Sequence, residues 1–435
     1  MALQREAMSE LLVWKSRNNR RPLLLLGARQ TGKTWLSEQF GEAEYSKVAR
    51  IDFLRDNQAK RIFDGNFDTE RLLMEIGIQT GVNITPGDTL IILDEVQECS
   101  RALTSLKYFC EDASEYHVIA TGSYMGIAMH DGESYPVGKV DTMRLYPLSF
   151  LEFLRNSGDG PLAEMIASQG AGTVSGAFEE RLKRQLKMYM FVGGMPAIVA
   201  EYEQSKNLRE IRRLQQGILD DYDNDFSKHA PPRLLERLRQ VWASLPAQLS
   251  KENRKFVYGV VRPGARARQF EECLQWLCDY GIAYRIPCVS AIRTPLKSYA
   301  QPETFKMFCF DTGLLGALSK VDAATVIDGS AIFTEFKGAM TEQYVCQQLM
   351  VQHLTPYYWA KENSRTEVDF VIETHNTVMP VEVKAELNLK AKSLKSAVER
   401  FGLQRSIRTS LAGYRDEGWV TNIPLWAIGS INSMV

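Results

Sequence analysis

The feature that most constrains this chain is a short apolar run, Pro-Leu-Leu-Leu-Leu at residues 22–26, followed without a break by Gly27, Ala28, Arg29, Gln30, Thr31, Gly32, Lys33 and Thr34. Such a run, closed by a glycine, reads as a strand buried on both faces. The eight residues after it satisfy GxxxxGK[ST] in full. Glycines at both ends let the backbone wrap a phosphate, so that its N–H groups and the start of the next helix face the negative charge. Lys33 would bridge the β- and γ-phosphates of ATP, and Thr34 would offer its hydroxyl to Mg²⁺. The plain alternative is an ordinary glycine turn, which explains neither the strand before the motif nor the helix after it.

A second strand signal, Thr89 to Leu93, ends in Asp94 and Glu95. Asp94 would hold the Mg²⁺ and Glu95 would act as general base on the attacking water. Either acid alone could cap a helix; a pair about sixty residues after a phosphate loop is harder to explain that way. A third apolar run, residues 117–120, leads into Thr121, Gly122 and Ser123. A hydroxyl there could sense the γ-phosphate, with Ser123 preferred to Thr121, or simply cap the next turn. Lys139 and Arg144 are two cations that could act as a finger in trans, and nothing selects between them. Short apolar runs alternating with amphipathic stretches such as residues 103–112 predict a parallel sheet flanked by helices.

Composition limits the rest. Lys plus Arg number 52 against 53 Asp plus Glu, so the chain does not coat nucleic acid by bulk charge, although local basic patches are compatible with that balance. The first ten residues lack a signal-peptide core, and the longest apolar runs are too short for a bilayer. Seven cysteines without CxxC or Cys/His spacing read as buried thiols. A cytoplasmic protein without membrane partners is expected.

The Gly/Ser-rich stretch 156–176 reads as a loop or linker. Residues 178–226 read as helical, broken where Gly193-Gly194-Met195-Pro196 must turn the chain, and Pro231-Pro232 marks a boundary. Residues 233–287 read as short helices followed by a strand, which suits a winged helix-turn-helix or a plain helical lid equally. Beyond residue 335 come a helix and strands at 357–360, 368–373 and 378–385.

In the last two strands, Glu382 and Lys384 share a face because residues two apart on a strand point the same way. A hairpin could bring Asp369 beside Glu382, and Glu342 lies on the preceding helix. Carboxylates plus a lysine make up the kit for phosphodiester cleavage with Mg²⁺ or Mn²⁺. Asp369, Glu382 and Glu342 would be the metal ligands, with Lys384 steadying charge. Taken bare, a cross-strand ion pair on a solvated face explains the same residues more simply.

The phosphate loop, Leu93-Asp94-Glu95-Val96-Gln97 and Ala120-Thr121-Gly122-Ser123 together resemble the ATPase core of a prokaryotic AAA+ group. So do Pro136-Val137-Gly138-Lys139-Val140, Tyr146-Pro147-Leu148-Ser149-Phe150, Gly193-Gly194-Met195-Pro196 and Asp311-Thr312-Gly313-Leu314-Leu315. Members of that group carry a C-terminal domain of unknown function similar to PD-(D/E)XK nucleases. The resemblance implies an α/β architecture: an ATPase domain at 1–155, a helical lid or linker at 156–230, a winged helix at 231–300 and a restriction-endonuclease-like domain at 301–435. It places the nuclease-like motif on Glu342, Asp369, Glu382 and Lys384. The expected function is an ATP-hydrolysing protein whose nucleotide state, ATP or ADP, governs a DNA-binding C-terminal domain that either cuts or serves as a switch or scaffold. DNA is the expected partner, a protein partner is the other reading, and rings of such ATPases suggest a homo-oligomer.

Overall fold

A computed structural model describes residues 3–123, 136–251, 254–320, 331–362, 364–387 and 389–434. The chain folds into two compact units. One comprises residues 5–146 with 279–281, and the other residues 1–4, 147–278 and 282–435. Among the described residues no helix is long and apolar enough to cross a membrane.

The first unit is built on five strands: β1 (Leu23–Leu26), β2 (Lys47–Asp52), β3 (Thr89–Asp94), β4 (His117–Gly122) and β5 (Asp141–Arg144). They pair in the order β2-β3-β4-β1-β5, and every pairing is parallel. Parallel neighbours need a crossover, and helices Lys33–Glu44, Thr69–Thr80 and Ser100–Asp112 supply it. Alternate strand residues feed two cores. Leu24, Ile51, Ile91, Leu93 and Val118 pack on one side; Leu23, Leu25, Leu90, Ile92 and Ile119 pack on the other. Burial on both sides is why these strands read as unbroken apolar runs. β2 had no such signal, because its sequence KVARID breaks the apolar run with Lys47, Arg50 and Asp52.

The second unit carries an eight-stranded mixed sheet. Its members are β6 (Ala283–Val289), β7 (Ala300–Cys309), β8 (Tyr357–Ala360), β9 (Glu367–Thr374), β10 (Thr377–Val383), β11 (Ile407–Ser410), β12 (Arg415–Asp416) and β13 (Thr421–Pro424). The order is β12-β13-β11-β10-β9-β8-β6-β7. Helix Ala331–Val351 buries Tyr344, Val345 and Leu349, and Tyr344 stacks edge-on against Phe150 and Tyr189.

Helices Leu235–Leu249, Tyr258–Val261 and Ala267–Asp279 precede β6 and β7 in the order that a winged helix would need. The pair does not end there, since β6 also pairs parallel with β8 and thereby joins the C-terminal sheet. Residue 300, where a domain boundary was expected, is the first residue of β7. The expected loop at 156–176 is corrected. Residues Gly160–Gln169 form a helix with Pro161 in its first turn, and Leu162, Ala163 and Ile166 are buried. The glycines and serines that flank it masked an apolar stripe at helical spacing.

Candidate nucleotide site

The order of the first sheet places β4 between β1 and β3, so their C-terminal ends lie side by side. Leu26 is opposite Gly122, and Leu93 is opposite Ala120. Each candidate residue sits at one of these ends or on the helix that follows, where open α/β sheets bind ligands.

The loop's shape depends on its glycines. A Cβ on Gly27 would lie 2.4 Å from the Leu145 carbonyl oxygen, and Gly32 has φ of +91°, in the left-handed region where only glycine is unstrained. Thr31 is fully buried and its hydroxyl donates to the Ala28 carbonyl at 2.8 Å, while its own carbonyl accepts from Arg5 at 3.1 Å. Lys33 opens the helix, is 4% exposed, and donates to the Gly27 and Ala28 carbonyls at 3.0 and 2.9 Å. Burial pushes its ammonium down to about 8, against the opposing pull of Glu95 and Asp94 and with Arg29 adding to the fall.

Thr34 Oγ1 donates to Asp94 Oδ1 at 2.9 Å. Asp94 is 1% exposed and also accepts from the Thr121 hydroxyl. Its second oxygen, Oδ2, is held by Arg50 Nη2 at 2.7 Å. Glu95 follows with φ of +55°, a conformation that costs a non-glycine residue roughly 1–3 kcal/mol and recurs at functional positions. Its Oε2 accepts from Gln97 Nε2 and, at 3.3 Å, from Ser123 Oγ.

Of the two hydroxyls at the end of β4, Ser123 reaches Glu95 and Thr121 reaches Asp94. Lys139 is paired with Glu111 at 2.8 Å. Arg50 and Gln97 were missed as site residues. The readable signal for Arg50 was the alternation in β2, which puts Arg50 and Asp52 on one face and Ala49 and Ile51 on the other.

The donor set suits ATP with Mg²⁺. The buried Lys33 ammonium lies within the loop that would wrap the phosphates, and the hydroxyl of Thr34 and the carboxylate of Asp94 are hard oxygen ligands of the kind Mg²⁺ takes alongside water.

The C-terminal constellation also comes together, with more company than expected. Asp369 on β9 receives the Val383 N–H at 2.8 Å, and Lys384 Nζ reaches Glu382 Oε1 at 2.6 Å. Glu342 is 3% exposed and is bound by Arg254. Lys306, which has no exposed surface, lies 3.5 Å from Glu342 and is paired with Glu367. Burial raises Glu342 but Lys306 and Arg254 hold it below its ordinary value. Burial, Glu342 and Glu382 push Asp369 well up. Burial likewise raises Glu382, with Lys384 opposing.

Among the described residues, no three His, Cys, Asp or Glu side chains group as metal ligands. Arg254 and Lys306 pair with Glu342, and Lys384 pairs with Glu382, so as arranged these two carboxylates are neutralised by protein cations rather than turned to a divalent ion. Arg254, Lys306 and Glu367 had no motif to announce them. In the same unit, a cavity of about 900 Å³ has Glu367 and Asp369 in its wall. Arg254, Lys255, Lys361, Arg365 and Arg400 line it, beside Tyr358 and Trp359.

Residues 19–154 match a family model described as an AAA domain. Over those residues the chain carries an AAA-type domain. Residues 183–325 and 337–428 match two further models, each described only as a domain of unknown function. No curated protein matches. Solved structures that resemble the chain include the Walker-type ATPase PABY2304 of Pyrococcus abyssi, at 16% identity and TM-score 0.46, covering 73% of this chain and 96% of that one. Another is the ORC1 protein of Aeropyrum pernix in complex with DNA, at 11% identity and TM-score 0.29, covering 74% and 93%. A third is Cdc6p of Pyrobaculum aerophilum, at 12% identity and TM-score 0.25, covering 74% and 93%.

Proposed function

We propose that this protein is a Mg²⁺-dependent ATPase whose second unit binds nucleic acid without cutting it, with the bound nucleotide setting that affinity. One observation carries the first half: Thr34 and Asp94, from a helix start and a neighbouring strand end, bring their oxygens to 2.9 Å beside the buried Lys33.

In this reading the N–H groups of residues 27–34 and Lys33 Nζ bind the β- and γ-phosphates, with Lys33 exchanging the Gly27 and Ala28 carbonyls for phosphate oxygens. Thr34 and Asp94 would hold the Mg²⁺, which would neutralise charge on the phosphates. Gln97 and Ser123 hold Glu95 Oε2 and so orient the carboxylate, and Glu95 Oε1 takes the proton of the attacking water. Thr121 fixes Asp94 from the neighbouring strand. Lys33→Ala is expected to weaken ATP binding at least about tenfold, because a charged hydrogen bond to phosphate disappears. Glu95→Gln keeps ATP bound while turnover falls by about 10²–10⁴. Equilibrium binding and phosphate release measured on both variants check the assignment, and equal turnover in Glu95→Gln and the parent would refute it.

For the second unit, the support is the cation-rich cavity and the ion pairs of Glu342 and Glu382. The helix Ala267–Asp279, which a winged helix would send into a groove, carries Glu271 paired with Arg285 and Glu272 paired with Arg233, a poor face for phosphate. Cutting is the competing reading, since Glu342 Oε2 and Glu382 Oε2 are buried without a hydrogen-bond partner among the described residues. Incubation with plasmid and single-stranded DNA in Mg²⁺ or Mn²⁺ separates the two. Cleavage that disappears in Asp369→Ala and Lys384→Ala would establish the nuclease and sink the non-cutting reading. Binding measured with ATP and with ADP tests the control.

A further inference from the structure

Asp94 has one neighbour that the phosphate-loop chemistry does not require. Arg50, on β2, points its guanidinium into three carboxylates at once. Nη1 lies 2.6 Å from Glu38 Oε1, and Nη2 lies 3.1 Å from Asp52 Oδ2 and 2.7 Å from Asp94 Oδ2. The position follows from the sheet: β2 runs parallel to β3 with Asp52 opposite Asp94, so Arg50 reaches across to the end of the neighbouring strand. Glu38 comes from the helix that starts at Lys33.

Without the guanidinium, these three acids would form a cluster of charge −3 around a buried aspartate, and a divalent cation would relieve it. With it, both oxygens of Asp94 are engaged, Oδ1 by Thr34 and Thr121 and Oδ2 by Arg50. The fork of an arginine suits this task, because it bonds several carboxylates in fixed directions and never loses its proton.

We infer that Arg50 is a positioning residue with a gating consequence: it orients Asp94 and keeps the acidic cluster closed to a bare divalent ion, so that Mg²⁺ enters only together with nucleotide phosphates. The inference rests on the reading that Asp94 serves the metal of ATP. The phosphates contribute the negative charge that Arg50 otherwise cancels, and Thr34 and Asp94, already hydrogen-bonded to each other, would then hold the metal.

The test is Mn²⁺ binding to the full chain without nucleotide, read by the free-ion signal in electron paramagnetic resonance, beside the Mg²⁺ dependence of ATP hydrolysis. The parent protein should bind no Mn²⁺ at the phosphate loop until ATP is added. Arg50→Met should bind Mn²⁺ without nucleotide at least about tenfold more tightly than the parent, because a unit charge a few ångströms from a divalent ion has been removed. Its kcat should fall, since Asp94 has lost its orienting partner.

Arg50→Lys keeps the charge but not the fork. It should remain closed to bare Mn²⁺ while its kcat falls, and it keeps the test decisive if the methionine variant fails to fold. Unchanged Mn²⁺ binding in Arg50→Met, or Arg50→Lys opening to bare Mn²⁺, would overturn the inference. If the parent itself neither binds nor hydrolyses ATP, it is the ATPase assignment that has failed, which parent activity alone reveals.

Discussion

At the scale of single residues, the phosphate loop turns on one buried lysine. Burial pushes the Lys33 ammonium down to about 8, whereas bound phosphates favour the charged form. The sign follows from linkage. Below pH 8 the lysine is already protonated and affinity for ATP is flat in pH. Above it, binding must take up a proton, and affinity falls by at most about tenfold per pH unit until the pKa of the complex is reached. Titration calorimetry between pH 6.5 and 9.5 should show that decline, and Lys33→Arg, which stays charged, should flatten it. A parent profile with no fall above pH 8 would mean that Lys33 does not touch phosphate. Lys33, Thr34, Asp94 and Glu95 were legible because phosphate-loop chemistry demands those types at that spacing. Arg50 was not, because the alternation in β2 gives it a face but no partner, and only the pairing of β2 with β3 brings it to Asp94.

Among the elements, the turn at Gly193 and Gly194 was legible and its partner was not. Gly193 takes φ of +78°, and Gly194 lies so close to Leu148 that a Cβ would meet the carbonyl oxygen at 2.2 Å. The Gly194 N–H donates to Asp311 Oδ2 at 2.6 Å, and Oδ1 caps the helix Thr312–Leu318 through the Leu314 N–H at 3.0 Å. Gln347, from the helix Ala331–Val351, reaches the same carboxylate at 3.3 Å. One buried acid thus ties a helix turn, a helix start and a third helix, drawn from distant parts of the sequence. Asp311→Ala should cost about 2–4 kcal/mol in the unfolding of this unit, since it deletes a cap and leaves a buried donor unpaired. Denaturant unfolding checks it; a loss below about 0.5 kcal/mol, the level of a surface change, would show that the carboxylate is not a structural tie. The motifs at 193–196 and 311–315 stood out as words in the sequence, and the hydrogen bonds explain why those words go together.

At the scale of the whole molecule, charge balance hides its distribution. A net charge of −1 coexists with a cavity whose wall, among the described residues, has five basic side chains against three acidic ones, Glu362, Glu367 and Asp369. If that wall receives nucleic acid, Lys361→Ala with Arg365→Ala should weaken DNA binding, and the salt dependence should flatten by roughly one unit of slope for each phosphate that is no longer neutralised. Fluorescence anisotropy across a salt series measures both, and an unchanged slope would place the DNA elsewhere. The sequence by itself determined the elements whose signal is local. These are the buried strands β1, β3 and β4 with the acids and hydroxyls at their ends, amphipathic helices such as Ser100–Asp112, and the hairpin that sets Asp369 beside Glu382. Periodicity and turn chemistry act over a few residues, so one chain suffices to read them. The tertiary structure alone decided which partners those residues meet. It joined β6 and β7 to the C-terminal sheet, gave Glu342 the cations Arg254 and Lys306, and set Arg50 on Asp94. Each of these is a long-range pairing between side chains or strands, and nothing in the local pattern of one segment encodes the charge of another that folds against it. The phosphate loop was therefore readable from its own eight residues, whereas the company of its aspartate was not.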